Sequence, residues 1–255
     1  MPAASGDAGA VRTGLILPSF SDKPDLALAV ARLAEDAGVD GVFCYDHLWP
    51  MGRPDRPALA PFPLLGAVAV STDRVAVGTL VARVGLVPDE VLMAEVEALS
   101  LLAPGRVVIA LGTGDRLSAQ ENEAYGVSFA DAAHRRASLR WCTRLLREQG
   151  VPVWIGGGSP RTVAVAEEEG AAVNLWAVPP ELVTLQAQRS EVTWAGPAPG
   201  STAGVGTLMK ELNEAGATWV VFAWPMPIPA VGSLREWSSA GSTGCRPMSS
   251  PPSTT

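Results

Sequence analysis

The feature that most constrains this chain is an alternation. Apolar runs of strand length fall at 11–18, 39–45, 74–82, 107–111, 151–155, 171–176, 191–195 and 218–223. Segments with helical spacing lie between them, at 25–37, 62–70, 90–102, 131–149, 161–169, 180–189 and 205–215. In the first of these, Leu26, Ala29, Val30, Leu33, Ala34 and Ala37 share one face, and Gly38 follows as a stop. Strands that alternate with helices pair in parallel, because each crossover returns the chain to the same end of the sheet. About eight such units in 255 residues predict an α/β fold of the (β/α)8 TIM barrel type. An open doubly wound sheet is the alternative, since the seventh strand is short.

Three segments follow from this reading. Residues 1–10 are a disordered N-terminus, 11–226 the barrel, and 227–255 a disordered tail rich in Ser, Pro, Thr and Gly. No helix is legible after the eighth strand. The hydrophobic share is 47%, as expected when parallel strands are covered on both faces. A net charge of −7 without a basic run argues against nucleic acid as a partner. No apolar run reaches the ~18 residues of a membrane helix, and the first ten residues do not read as a signal peptide. Cys44, Cys142 and Cys245 are widely spaced and odd in number, which fits free thiols in a reducing cytoplasm. Two distant histidines and three scattered cysteines do not make a metal site, so none is predicted.

A parallel barrel brings the C-terminal ends of its strands to one mouth. Three of these ends carry unusual residues. Strand two runs into Asp46-His47-Leu48-Trp49, strand four into Gly112-Thr113-Gly114-Asp115, and strand five into Gly156-Gly157-Gly158-Ser159-Pro160-Arg161-Thr162. His47 is the natural proton carrier, because imidazole titrates near neutral pH. Its plain alternative is a rim histidine paired with Asp46, although neighbours on a strand point to opposite faces. Trp49 can stack on a planar ligand or simply sit on the rim. The Gly-Gly-Gly turn lets backbone amides and the Ser159 and Thr162 hydroxyls approach an anion at a helix start. A tight turn is the bland reading there, and this is not a P-loop, since its lysine is missing. Asp115 reads as a general acid or as a turn cap. His134, beside Arg135 and Arg136, reads as part of a solvated basic face. No Gly-x-Ser-x-Gly elbow follows a strand, so serine hydrolysis is unsupported.

The order and spacing of these stretches resemble the luciferase-like monooxygenase superfamily, in its branch of oxidoreductases dependent on the deazaflavin coenzyme F420. The matching pieces are Asp46-His47, Val77-Gly78-Thr79-Leu80-Val81, Pro104-Gly105-Arg106-Val107, Gly112-Thr113-Gly114-Asp115 and Ile155-Gly156-Gly157-Gly158-Ser159-Pro160. The resemblance implies that His47 assists proton or hydride movement and that Trp49 lines the substrate side. It implies an acid role for Asp115, where the related sugar-phosphate dehydrogenases carry Glu. It also implies a non-prolyl cis peptide at Leu80-Val81 behind the ring. Asp46, Leu80, Val81, Thr113, Gly114, Gly157, Gly158, Ser159, Arg161 and Thr162 would hold the coenzyme. Relative to the family, the insertion between strands four and five is reduced to the stretch around 131–149. Part of the region around 196–205 is missing.

The function expected is hydride transfer between F420 and a small organic substrate, by a protein that forms a homodimer through its second and third helices. An FMN-dependent monooxygenase is the alternative, and a non-catalytic flavin or deazaflavin binder is the reading from another class. A barrel alone does not choose among them.

Overall fold

The computed structural model describes residues 11–50 and 53–225. The expected ends 1–10 and 227–255 lie outside them. In chain order the elements are β1 (Arg12–Ile16), α1 (Pro24–Asp36), β2 (Gly41–Cys44), α2 (Pro61–Ser71), β3 (Ala76–Arg83), α3 (Asp89–Leu102) and β4 (Val107–Gly112). Then come α4 (Arg116–Ala124), α5 (Ala132–Glu148), β5 (Val153–Gly156), α6 (Pro160–Glu169), β6 (Ala172–Trp176), α7 (Pro180–Ala187), β7 (Val192–Pro197), α8 (Thr202–Glu214) and β8 (Ala217–Ala223). The eight strands pair in parallel in sequence order, and β8 returns to β1 to close the barrel. The open-sheet alternative is therefore set aside. The short seventh strand pairs with β6 on one side and β8 on the other, and is longer than its apolar run because Gly196 and Pro197 continue the ladder with β8.

The local chemistry explains the punctuation. Proline opens α1, α2, α6 and α7, where a missing N–H costs nothing. Asp131 caps α5 by accepting from the backbone N–H groups of Ala133 and His134. His134 thus belongs to a helix start and does not line the cleft at the mouth. At the opposite end of the barrel from the mouth, the buried Glu35 carboxylate accepts the backbone N–H groups of Asp73, Arg74 and Val75. Arg106 donates there to the carbonyls of Ala69 and Val75. These bonds tie the turns that enter β3 and β4, on the barrel end away from the mouth.

Two apolar layers sit on either side of the sheet. The outer one lies between strands and helices. The inner one fills the barrel with Ile16, Phe43, Leu80, Val108, Trp154 and Trp219 among others. Phe43, Trp154 and Trp219 form a ring cluster, with Phe43–Trp154 centroids 5.1 Å apart and Trp154–Trp219 centroids 5.3 Å apart. This plug makes the barrel a packed core, and any ligand must sit above it at the mouth.

One irregularity positions the site. The β3–β4 register shifts between Thr79 and Ala82, so β3 carries one extra residue there. The Leu80–Val81 peptide is cis, as the resemblance implied. Among the described residues no helix is long and apolar enough to cross a membrane.

Candidate active site

A cleft of about 780 Å³ opens at the C-terminal end of the strands. Its wall takes residues from every strand end singled out in the sequence. Asp46 and His47 follow β2, Leu80, Val81 and Arg83 come from β3, and Gly112, Thr113, Gly114 and Asp115 end β4. Gly156, Gly157, Gly158, Ser159 and Thr162 lead from β5 into α6, and Asn174 and Trp176 lie on β6.

The floor is the β3 bulge. A Cβ at Gly112 would stand 2.6 Å from Val81 Cγ2, and one at Gly156 would stand 2.5 Å from Val81 Cγ1. Both neighbours must be glycine for Val81 to sit where it does. The glycine-rich turn beyond it starts with Gly157 at φ +115°, a conformation closed to ordinary side chains. Ser159 caps α6 by accepting the Thr162 N–H at 3.2 Å, and its hydroxyl lies 2.6 Å from that of Thr162. The Gly112–Asp115 turn is pinned from α5, where Arg135 Nε donates to the Thr113 carbonyl at 2.8 Å.

The polar wall is a chain of alternating charges. Glu121 Oε1 lies 2.9 Å from His47 Nδ1, and its Oε2 accepts from Arg83 Nη2 at 2.9 Å. Arg83 in turn lies beside Asp46, with Nε 3.7 Å from Oδ2 and its backbone N–H donating to the same oxygen at 2.5 Å. Side chains of Arg83 and Glu121 are each 2% exposed, while His47 keeps 21% of its side chain open. Burial pushes Glu121 up, but its bonds to His47 and Arg83 outweigh that and hold it below the usual carboxylate range. Burial likewise disfavours a charged His47. The hydrogen bond and charge of Glu121 overcome it and lift His47 above the ordinary imidazole range. Asp46 moves up, because its burial outweighs Arg83.

An aromatic group completes the mouth. Phe20 stacks on Tyr45 with centroids 5.3 Å apart, and Tyr45 meets Trp176 edge-on at 6.2 Å. Strands β2 and β6 are diametrically opposite in an eight-stranded barrel, so this contact reaches across the opening.

Four expectations need correction. Asp115 is on the wall, but its carboxylate is the start of α4. It accepts from Leu117 N–H at 2.9 Å and Ser118 N–H at 3.0 Å, while Ser118 Oγ accepts the Asp115 N–H. Those bonds outweigh burial and hold its carboxyl low, which suits a cap better than a proton donor. Trp49 lies outside the cleft wall, because its indole stacks on Tyr125 at 5.6 Å. Arg161 is exposed on the first turn of α6 and also lies outside the wall. The reduced β4–β5 connection is in fact two helices, α4 and α5. Residues not anticipated are Phe20, Tyr45, Arg83, Ser118, Glu121, Asn174 and Trp176.

The comparisons agree with this geometry. The family model described as luciferase-like monooxygenase matches residues 5–149. The chain belongs to the luciferase-like monooxygenase family. It is 39% identical over 131 residues to an F420-dependent glucose-6-phosphate dehydrogenase of Beutenbergia cavernae, a match covering 51% of this chain and 37% of that protein. An F420-dependent glucose-6-phosphate dehydrogenase of Kineococcus radiotolerans is 30% identical over 164 residues, covering 54% of this chain and 48% of its own. The match thus spans half or less of the length of these relatives. Among solved structures, an F420-dependent secondary alcohol dehydrogenase in complex with an F420-acetone adduct superposes with a TM-score of 0.74 at 14% identity. That likeness covers 86% of this chain and 94% of the other, and it concerns the fold.

Proposed function

We propose that this family member is an oxidoreductase that uses coenzyme F420 and exchanges a hydride with a small organic substrate at the barrel mouth. The observation that carries this reading is that His47, engaged at Nδ1, faces the same cleft as the Val81 bulge and the Ser159–Thr162 helix start. The residues fit a planar ring with a phosphate-bearing tail. Val81, between Gly112 and Gly156, offers an apolar platform for a ring. Gly157, Gly158, Ser159 and Thr162 offer close backbone approach and hydroxyls at a helix N-terminus. When bound, the deazaflavin supplies hydride transfer, and the protein supplies orientation and proton handling. His47 is the group that gives or takes the proton at the substrate. Asp46, Leu80, Thr113 and Gly114 flank the coenzyme, and Asp115 serves the site by building α4.

The test is a titration of the purified protein with F420 and with FMN, followed by fluorescence. Binding of F420 is expected. Binding of FMN alone would overturn the reading in favour of a monooxygenase, the chemistry after which the family is described. With F420 bound, His47→Ala should lower turnover about 10²–10⁴-fold, the usual worth of a positioned acid or base.

A homodimer is part of the proposal. Val70 on α2 and Leu101 on α3 are 70% and 79% exposed, and these helices pack side by side. A monomer mass in solution would remove it. A cytoplasmic setting is also proposed, supported by Cys44 and Cys142 as buried free thiols. Secretion of the natural protein would contradict it.

A further inference from the structure

We infer that Glu121, locked in place by Arg83, is the positioning residue for His47: it takes the Nδ1–H and leaves Nε2 as the ring nitrogen that meets the substrate. The chemistry rests on the functional reading above, but the geometry stands without it. An imidazole has two nitrogens, and a carboxylate that accepts at one of them selects the tautomer with its proton there. Glu121 is suited to this, because it lies 2.9 Å from Nδ1 and is almost wholly buried. Its carboxylate cannot turn freely, since its other oxygen is held at 2.9 Å by the equally buried Arg83. Arg83 is itself fixed through Asp46, which accepts its backbone N–H and flanks its guanidinium. The aliphatic stem of Arg83 is seated against Gly114, where a Cβ would come within 2.7 Å of Arg83 Cδ.

The proposal moves the acid partner of His47 away from the Gly-Thr-Gly turn. Asp115 spends its carboxylate on the first turn of α4. That cap starts the helix whose buried face then delivers Glu121 to the ring. Four ionisable groups bear on His47: Glu121 from α4, its chain neighbour Asp46 just after β2, Arg83 from β3 and Asp115 at the α4 cap. Of these, Glu121 is the one within hydrogen-bond distance of the ring. In turnover, His47 in its doubly protonated form would give its Nε2 proton to the substrate oxygen and fall back to the Nδ1–H tautomer that Glu121 holds, while bound reduced F420 would supply the hydride to the substrate carbon. The coenzyme would be oxidised, the substrate reduced, and His47 would regain its proton from solvent. The reverse direction runs the same transfers backwards.

The experiment uses the full chain without coenzyme. The chain has only two histidines, so long-range ¹H–¹⁵N spectra contain two rings to follow against pH. His134 lies on the first turn of α5, outside the cleft wall, and provides the reference signal. In the wild type, neutral His47 should carry its proton on Nδ1. A proton found on Nε2 overturns the inference with no variant needed. In Glu121→Gln the His47 midpoint should fall by about one pH unit or more, a tenfold loss of proton affinity, while the His134 signal is the same in both proteins. An unchanged midpoint overturns the inference. Should Glu121→Gln fold poorly, Glu121→Asp and the wild-type tautomer decide it: the acid shortened by one methylene should show a His47 midpoint below that of the wild type, and an unchanged midpoint overturns the inference. With F420 supplied, the pH profile of kcat should shift in step with the midpoint while the coenzyme Kd holds. Failure of the wild type to bind F420 would strike the functional reading, and the tautomer and midpoint would still judge this one.

Discussion

Filling the space between Gly156 and Val81 should close the coenzyme site, and a second substitution should reopen it. In Gly156→Ala the new methyl lies 2.5 Å from Val81 Cγ1, far inside contact distance, while Val81 Cβ is 3.7 Å away and Leu111 O 3.6 Å. Backbone conformation is no obstacle, so the whole penalty is the collision with one valine methyl. Overpacking of this kind costs about 1–3 kcal/mol. Val81→Ala alone should cost about 1 kcal/mol through lost methyl burial. In the double variant the nearest neighbours of the new methyl become Leu111 O at 3.6 Å and Val81 Cβ at 3.7 Å, both ordinary contacts. The alanine at 156 should therefore be nearly free in that background, giving a coupling of about 1–3 kcal/mol. Urea unfolding of the four proteins measures this, provided their m-values agree. In parallel, Gly156→Ala should weaken F420 binding at least tenfold, by driving Val81 into the space of the ring, and the double variant should recover most of it. Additive stability costs, or a Gly156→Ala protein as stable and as tight-binding as wild type, would refute the argument that these glycines exist to seat Val81.

Two further outcomes follow from caps and clamps. Asp115→Asn keeps a capping oxygen and should leave turnover within a few-fold of wild type, whereas Asp115→Ala should cost about 1 kcal/mol in thermal or urea stability; a collapse of turnover in Asp115→Asn at unchanged stability would restore Asp115 as an acid. Glu35→Ala should cost roughly 2–4 kcal/mol, because the Val75 N–H is buried and loses its acceptor. Burial raises the Glu35 carboxyl, but the three N–H donors and Arg74 outweigh it and hold it low in the folded protein. Its contribution is therefore full above the ordinary carboxylate range and fades as pH falls through the lowered value. Urea midpoints at pH 7 and near pH 3.5 check this, and a gap between wild type and variant that does not narrow in acid would contradict it.

The barrel was legible because its strands and most of its helices bury apolar faces, which leave a periodic signal. Helix α4 was not, and the reason is physical. Its buried residues are Ser118, Glu121 and Asn122, so its inward face is polar and shows no hydrophobic period. The Asp115-to-Ser118 spacing was the available mark of its start, a capping box with Ser in place of the usual Glu. Glu121 was hidden with the helix. Arg83 was hidden for a related reason: a strand reading stops naturally before an arginine, yet this one is the last residue of β3 and is buried between two carboxylates. The glycine turns and His47 stood out because their residue types are costly or rare at strand ends. Where a side chain points is a different matter. Trp49 and Arg161 have suitable chemistry and neighbour the mouth, but one turns to Tyr125 and the other to solvent.

The pairing of β1 with β8 has a consequence for how the molecule is made. Arg12 through Ile16 find their second partner only when Trp219 through Ala223 arrive. During synthesis from the N-terminus, β1 must therefore persist with one unpaired edge while every other strand is produced. The strand in the last place added also shows an open edge until closure. A ribosome stalled before β8 would hold a sheet with two sticky margins, one at each end. A premature stop there should yield insoluble material or a chaperone-bound chain instead of a smaller working barrel.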